Sequence, residues 1–337
     1  MKISLLVPCY NEGKSLRTSI QSWLAQSRRF DEIVVVDDSS SDDTPNILKE
    51  YEGSIRMVRT PRRTGNKSGA QEYGLQFVTG DVFATSDGDT ILDRNFAREI
   101  EASFRDPLVA AVGGYVKSLK YNWITACRDL DYAIGQNIDK VAQNYLDFLI
   151  VIPGAAGAFR TRTFRERIGF DHDTLTEDLD FTFKLHRLGF KIDYNKRAIC
   201  YTQDPPTLAS YINQMRRWYG GGWQNVEKHF GAPAHMGMGL ELALIYTEGL
   251  VFSLMFLLLP FINILFTLKI LFALYCMLLL VGTFAAIKER RADLLCYLPA
   301  YMLLRYVNSY IYLEQFFKEI VVRKRNMIWY RPERVYV

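Results

Sequence analysis

The sequence lacks the spacings that mark a disulfide framework, a phosphate loop or a dinucleotide fold. Its five cysteines, Cys9, Cys127, Cys200, Cys276 and Cys296, are scattered with no CxxC and no pairing pattern, which fits reduced surroundings for the soluble part. In residues 65–70 (Gly-Asn-Lys-Ser-Gly-Ala) Asn66 separates Gly65 from Lys67, so no Walker A loop is present, and no GxGxxG occurs. A P-loop nucleotidase and a Rossmann redox enzyme therefore lose their signatures. An excess of one charge is missing too: 41 Lys+Arg against 37 Asp+Glu leave +4, too even for binding through phosphate neutralisation, and no nucleic-acid partner is expected. Residues 1–9 carry one lysine and an apolar run cut by Pro8, not the long apolar core of a signal peptide. The expected N-terminus is mature and cytosolic. No internal repeat and no low-complexity segment is present.

What the chain does have is two compositions. Residues 3–7, 32–36, 55–59 and 81–85 are short apolar or β-branched runs, with helical patterns at 14–26 and 67–79. This alternation predicts βαβ units and strands covered on both faces. A further strand is expected at 108–116, a long helical stretch at 121–149 and another helix at 171–188. After about residue 238 the chain turns apolar: stretches 240–259 and 261–281, split by Pro260, contain only Glu241, Glu248 and Lys269 as charges. Each reaches the length of about 20 apolar residues needed to cross a bilayer. A third stretch, 293–313, is interrupted by Arg305 and Asn308, and an arginine at that depth calls for a protein, headgroup or polar-channel neighbour.

Four signals follow one another along this frame: Asp37-Asp38, Asp87-Gly88-Asp89, Thr176-Glu177-Asp178 and Gln214-Met215-Arg216-Arg217-Trp218. The first two fall just past strands, where ligands bind in open α/β sheets. Acids flanking a glycine there can hold a hard divalent cation beside a diphosphate or form an ordinary turn. Asp37 and Asp38 could accept hydrogen bonds from a nucleobase or ribose, and Asp38 could equally cap a helix over 43–51. Thr176-Glu177-Asp178 reads either as a capped helix start or as an acidic site beside the small-residue run 154–158, which leaves room for a bulky acceptor. In 214–218, an aromatic beside two arginines is an interfacial anchor; alternatively, Arg217 neutralises a departing diphosphate while Trp218 packs on a sugar face.

In this order and spacing the four signals resemble the processive inverting glycosyltransferases of family 2, the cellulose, chitin, hyaluronan and poly-N-acetylglucosamine synthases. The motif resemblance covers roughly residues 1–230. It implies a GT-A fold, an α/β domain with a Rossmann-like, mostly parallel sheet, followed by interfacial helices and C-terminal transmembrane helices. It also implies a UDP-sugar donor, Mg²⁺ or Mn²⁺, and hexosyl transfer to a growing glycan. Asp37, Asp38 and Lys67 match nucleotide-contacting positions, and Asp87 and Asp89 the diphosphate–metal motif, Asp89 being the direct metal ligand. Asp178, with Glu177 beside it, matches the general base; Gln214 and Arg217 close the donor site, and Trp218 lines the acceptor end. Glu72 stands where many relatives have Asn. Ceramide- and polyprenyl-phosphate-type transferases share the pattern and add one sugar to a lipid.

The expected organisation is a cytosolic catalytic domain over 1–205, interfacial helices over 206–238, a transmembrane region over 239–325 and a tail over 326–337. It implies a multi-pass protein of the cytoplasmic membrane in contact with lipids, with accessory subunits or a homo-oligomer as further partners.

Overall fold

The computed structural model describes residues 1–229 and 236–325, together with Met327 and Tyr330. The expected tail 326–337, apart from those two residues, and residues 230–235 of the expected interfacial segment lie outside the described residues.

The first third alternates as its pattern predicts: β1 (Ile3–Cys9), α1 (Leu16–Leu24), β2 (Glu32–Asp37), α2 (Thr44–Glu50), β3 (Arg56–Arg59), α3 (Lys67–Leu75) and β4 (Val82–Thr85). Val34, Val35 and Val36 are each fully buried. Val35 joins Leu5 and Val7 in one core, whereas Val34 and Val36 join Leu6 in the core of the opposite face. That alternation is the strand's period of two, and each such side chain stabilises the fold by about 1.5–3 kcal/mol. The strands β5 (Ile91–Leu92) and β6 (Val109–Ser118) flank α4 (Phe96–Ser103).

The stretch 121–149 is broken. Helix α5 (Trp123–Ile134) opens into a π-turn at Gly135–Asp139 before α6 (Lys140–Tyr145). Gly135, a poor helix former, stands at the break, and such wide turns recur beside functional sites. Two strands the sequence pattern did not reveal follow: β7 (Gly157–Arg160), then, after the single turn α7 (Thr161–Thr163) and α8 (Glu177–Arg187), β8 (Lys191–Thr202).

The eight strands form one sheet in the order β3-β2-β1-β4-β7-β6-β8-β5. β1 pairs in parallel with β2 and β4, β2 with β3, and β6 with β8, while β7 runs antiparallel between β4 and β6 and β5 antiparallel to β8. The register sets Cys9 beside Asp37 and Leu6 beside Thr85. The acidic motifs after β2 and β4 thus leave the sheet from the same edge.

Helix α9 (Leu208–His229) carries residues 214–218; α10 (Met236–Ile262), α11 (Ile264–Glu289) and α12 (Leu298–Phe316) follow. Within α10 and α11, Leu242–Ile262 and Ile264–Glu289 are long and apolar enough to cross a membrane, and only 11% of each is buried, unlike a core helix of a soluble protein. The third apolar stretch forms α12, which packs on α9, α10 and α5. An apolar core of α5 (Ile124, Leu130), α9 (Tyr211, Met215), α11 (Leu278) and α12 (Leu298, Ile311) fixes these helices to the sheet domain. Polar pairs add to it: Lys117 Nζ to Glu289 at 2.6 Å and Arg291 Nη1 to Asp129 at 2.8 Å.

Candidate active site

A cavity of about 850 Å³ opens at the sheet edge and runs inward between α5, α9, α10 and α12. Asp38, Lys67, Asp87, Asp89, Glu177 and Asp178 line it, as do Gln214, Arg217 and Trp218. Asp37 is not in its wall. It is fully buried beneath, where its carboxylate accepts the Ser40 N–H at 2.9 Å and pairs with Arg59 Nη1 at 2.9 Å.

Asp38 holds the loop after β3. It accepts the Thr60 hydroxyl and the Thr64 hydroxyl, each at 2.9 Å, and the Thr64 amide at 2.8 Å. It does not cap α2, whose first N–H groups are served by Asp42 through Thr44 N at 2.9 Å. The ordered loop brings Arg63 over the ring of Tyr10, 4.1 Å from its centroid, and both line the cavity. Asn66 then caps α3 by accepting Gly69 N at 2.8 Å, so Lys67 is the first residue of a helix.

Lys67 is the electrostatic centre. Its ammonium stands 2.5 Å from Asp87 Oδ1 and 3.8 Å from Glu177 Oε1. Burial alone would pull its pKa down, but Asp87 and Glu177 outweigh burial and hold it above its ordinary value. Glu177 is pushed up by burial and by Asp178, with Lys67 and Arg217 opposing. Gly154 marks where these groups meet: a Cβ there would lie 2.8 Å from Lys67 Nζ, 3.7 Å from Glu177 Oε1 and 3.8 Å from Asp178 Oδ2. Any side chain would occupy the space the charged groups face, so the small-residue run does clear room in the cavity. Asp89 is buried, and burial together with Glu12, Asp37, Asp89 and Asp87 raises the Cys9 thiol well above its usual value.

Among the described residues, no cluster of three or more His, Cys, Asp or Glu side chains could hold a metal. Asp87 and Asp89 offer two carboxylates, a set that suits Mg²⁺ or Mn²⁺ only with phosphate oxygens or water completing the shell. The donor set fits a metal arriving with a diphosphate.

Helix α9 grips the start of α8. Thr176 caps nothing; instead Asn225 Nδ2 donates to the Thr176 carbonyl at 3.1 Å and to its hydroxyl at 3.0 Å. Gln224 accepts the Leu175 amide at 2.9 Å and donates to Glu319 at 3.0 Å. The helix approaches so closely that a Cβ at Gly221 would lie 2.5 Å from the Thr176 hydroxyl. One turn on, buried Asp180 is bound by His229 Nε2 at 2.8 Å, Lys228 at 2.8 Å and Lys184 at 3.0 Å. Sequence reasoning missed Gln224 and Asn225, because polar residues in a helix carry no local signal of what they will touch.

Trp218 is stacked by Arg128, whose Cζ is 4.9 Å from the ring centroid; Arg128 also pairs with Asp131 and lies 3.5 Å from Asp204. Beyond Trp218 the cavity is walled by Lys140 and Gln143 of α6, by Phe252 of α10, and by Tyr301, Arg305 and Asn308 of α12. Arg305 thus lines a protein cavity, between the rings of Phe252 and Tyr301. Glu72, the departure noted in the sequence, is exposed and lies 2.9 Å from His172.

A mixed, largely parallel sheet followed by a helix bundle is the architecture of a GT-A transferase, and residues 2–221 match the family described as glycosyltransferase like family 2, to which the chain belongs. Among curated proteins it is similar to poly-beta-1,6-N-acetyl-D-glucosamine synthase of Staphylococcus epidermidis (26% identical over 232 residues) and of Staphylococcus aureus strain COL (27% over 231 residues). Each match covers 68% of this chain and 56% of the relative, so the chain spans little more than half the length of these relatives. Among solved structures it resembles the mannosyltransferase PcManGT from Pyrobaculum calidifontis in complex with GDP-Man and Mn2+ (TM-score 0.68, 18% identity, 96% of this chain and 88% of that one). S. aureus TarS 1-349 in complex with UDP aligns less closely (TM-score 0.57, 17% identity, 95% and 92%).

Proposed function

We propose that the protein is a membrane-associated inverting glycosyltransferase that uses a UDP-sugar to extend a β-linked polysaccharide. The observation that carries the reading is the convergence of Lys67, Asp87, Glu177 and Asp178 about Gly154, in one cavity with Arg217 and Trp218. The UDP-sugar is inferred from the family and from a similar fold solved with UDP.

Asp178 takes the proton of the acceptor hydroxyl, and the freed oxygen attacks the anomeric carbon from the face opposite the diphosphate. The bond to the diphosphate oxygen breaks with its electron pair leaving on UDP, so an α-linked donor gives a β-linkage. One well-placed base supplies roughly 10²–10⁴ in rate. Lys67 and Arg217 bind the diphosphate, Arg63 and Tyr10 flank the nucleoside end, and Gln214 closes the donor site. A divalent cation held by Asp89 and Asp87 would neutralise charge on the leaving group, a contribution of several kcal/mol. Glu177 keeps Lys67 charged. Leu242–Ile262 and Ile264–Glu289, long and apolar enough to cross a membrane, support the protein's association with one.

A second reading, one sugar added to a lipid, is favoured by the cavity's wall on α10, where Leu242, Ile245 and Phe252 belong to a helix long and apolar enough to cross a membrane. A donor screen measuring released nucleoside diphosphate, followed by sizing of the product, tests both. A ladder of products supports the polysaccharide; one discrete product supports the lipid acceptor; absence of nucleotide release with every donor overturns both.

A further inference from the structure

The strand that the sequence pattern hid ends at the cavity. Past Thr202, β8 runs into Gln203-Asp204-Pro205-Pro206, where each proline fixes its own φ and Pro205 keeps Asp204 out of helical backbone. Two hydrogen bonds secure the segment: Leu119 N donates to the Thr202 carbonyl at 2.9 Å, and Asn122 Nδ2, from the residue that caps α5, donates to the Pro206 carbonyl at 2.7 Å. Asp204 is thereby set in the cavity wall, 3% exposed.

Its carboxylate is poorly served for a buried charge. Oδ1 receives only Arg128 Nε and the Tyr132 hydroxyl, both at 3.5 Å, and Oδ2 accepts no hydrogen bond among the described residues. Asp180, equally buried, is held by His229 and Lys228 at 2.8 Å and by Lys184 at 3.0 Å. An acid kept only to balance Arg128 would close on it in the same way. A buried acceptor left open is costly, and a ligand that donates to it removes that cost.

The surroundings say what the donor is. Arg128 lies against Asp204 and stands 4.9 Å from the Trp218 ring centroid, so carboxylate and indole are neighbours in the wall. Gln214, one turn before Trp218 on α9, is buried in the same wall, and its Oε1 accepts no hydrogen bond among the described residues. A cation is not called for, because Arg128 beside Asp204 and Arg305 in electrostatic reach of Asp131 already balance the two acids. Open acceptor oxygens near an indole match a neutral ring with an apolar face and hydroxyl edges, which is a hexopyranose.

We propose that Asp204 is a specificity-determining residue at the acceptor end, its carboxylate accepting a hydrogen bond from a hydroxyl of the sugar that packs on Trp218. The proposal rests on the transferase reading, in which Trp218 lines the acceptor end, and adds a residue that none of the four sequence signals contains. Asp204 leaves the attacking hydroxyl to Asp178 and reads a second one.

The test uses the full chain in lipid nanodiscs, saturated with UDP, and titrates a β-1,6-linked N-acetylglucosamine pentamer, built from the sugar of the synthases this chain resembles. Two analogues lack the 3- or the 4-hydroxyl of the terminal non-reducing sugar. A hydrogen bond to a charged group contributes about tenfold or more in affinity, and a site built to receive a hydroxyl rejects the analogue without it, so wild type binds one analogue that much more weakly. Asp204→Asn loses a similar factor for the pentamer and most of the discrimination against that analogue, the coupling that a direct contact requires. Asp204→Glu keeps the charge beside Arg128 but moves the oxygens, and loses the discrimination too, which separates a lost sugar contact from a lost ion pair. Three sugars bound alike by wild type, discrimination that survives in both variants, or a pentamer that wild type does not bind at millimolar concentration overturns the assignment. Pentamer binding that depends on Asp204, in a chain that releases no nucleotide from any donor, upholds the subsite and sinks the transferase reading; nucleotide release with uncoupled effects does the reverse.

Discussion

The donor side and the acceptor side of the cavity are built in opposite ways. On the side proposed for the donor, the acids are satisfied locally before any ligand arrives: Asp37 and Asp87 by ion pairs with Arg59 and Lys67, and Asp38 by hydrogen bonds from two threonines. The acids sit at the ends of β2 and β4, on either side of β1, or in the loops that follow them, and Lys67 starts the helix that leads to β4. On the acceptor side, Asp178 is placed by a loop that α9 grips through Asn225 and Gln224, residues about fifty positions away, and Gln224 is itself held by Glu319 beyond α12. A recognition site for a common nucleotide can be rigid and local. The loop that leads into Asp178 is held by parts that reach into the helix bundle.

The contrast is broken most severely at the base. Asp178→Asn should lower transfer by roughly 10²–10⁴ while nucleotide affinity is retained, because the carboxylate acts on the acceptor. Nucleotide binding by titration calorimetry alongside initial rates checks it, and transfer near the wild-type rate would remove Asp178 from the role. Chelation comes next. EDTA should stop turnover and Mn²⁺ or Mg²⁺ restore it, whereas Asp89→Ala should lose rescue; activity that persists in chelator would leave Asp87 and Asp89 as structural acids.

What the sequence disclosed follows the same division. Strands β1, β2 and β4 were legible because each is a short run of mostly apolar residues buried on both faces, and the acids after β2 and β4 because strand ends are where such sheets bind ligands. β7 was hidden in a run of glycine and alanine, and β8 because its buried residues alternate with Lys, Asp, Asn and Arg over twelve residues. Of the site, Asp38, Lys67, Asp87, Asp89, Asp178, Arg217 and Trp218 were named from motifs, and all line the cavity. Lys140, Gln224 and Asn225 were invisible, since their meaning comes from long-range packing. The break at Gly135 that brings Lys140 to the cavity had only one glycine to betray it.

Long-range placement of the base can be tested without touching it. Asn225→Leu removes two hydrogen bonds to Thr176, and buried partners left unmatched cost about 1–3 kcal/mol. A displacement of the α8 start should reduce kcat by about tenfold to a hundredfold, with donor KM unchanged. Asn225→Asp would set a buried carboxylate against the Thr176 and Gly221 carbonyls and should lower kcat at least as far. If kcat follows only the loss of folded protein, α9 is a scaffold and the coupling of the two sides fails.

The smallest expected effect concerns Lys140 and the direction of a pH slope. In the folded chain burial lowers this lysine from 10.5 to about 8, although Asp178 opposes the shift. Between those two values the unfolded chain therefore binds a proton that the folded chain does not, and stability rises with pH wherever the unfolded state holds more protons. Below about 8 both states are protonated, and the folded state bears the full cost of a buried cation. Lys140→Met removes that cost, so the variant should be more stable than wild type at pH 7. The difference should shrink as pH climbs through 8 toward 10.5, because wild type sheds its charge over that interval; comparing variant with parent cancels the other lysines and tyrosines that titrate there. Denaturant midpoints of the two proteins across this range read the slope. A difference that is flat with pH would mean that Lys140 is solvated in the folded chain.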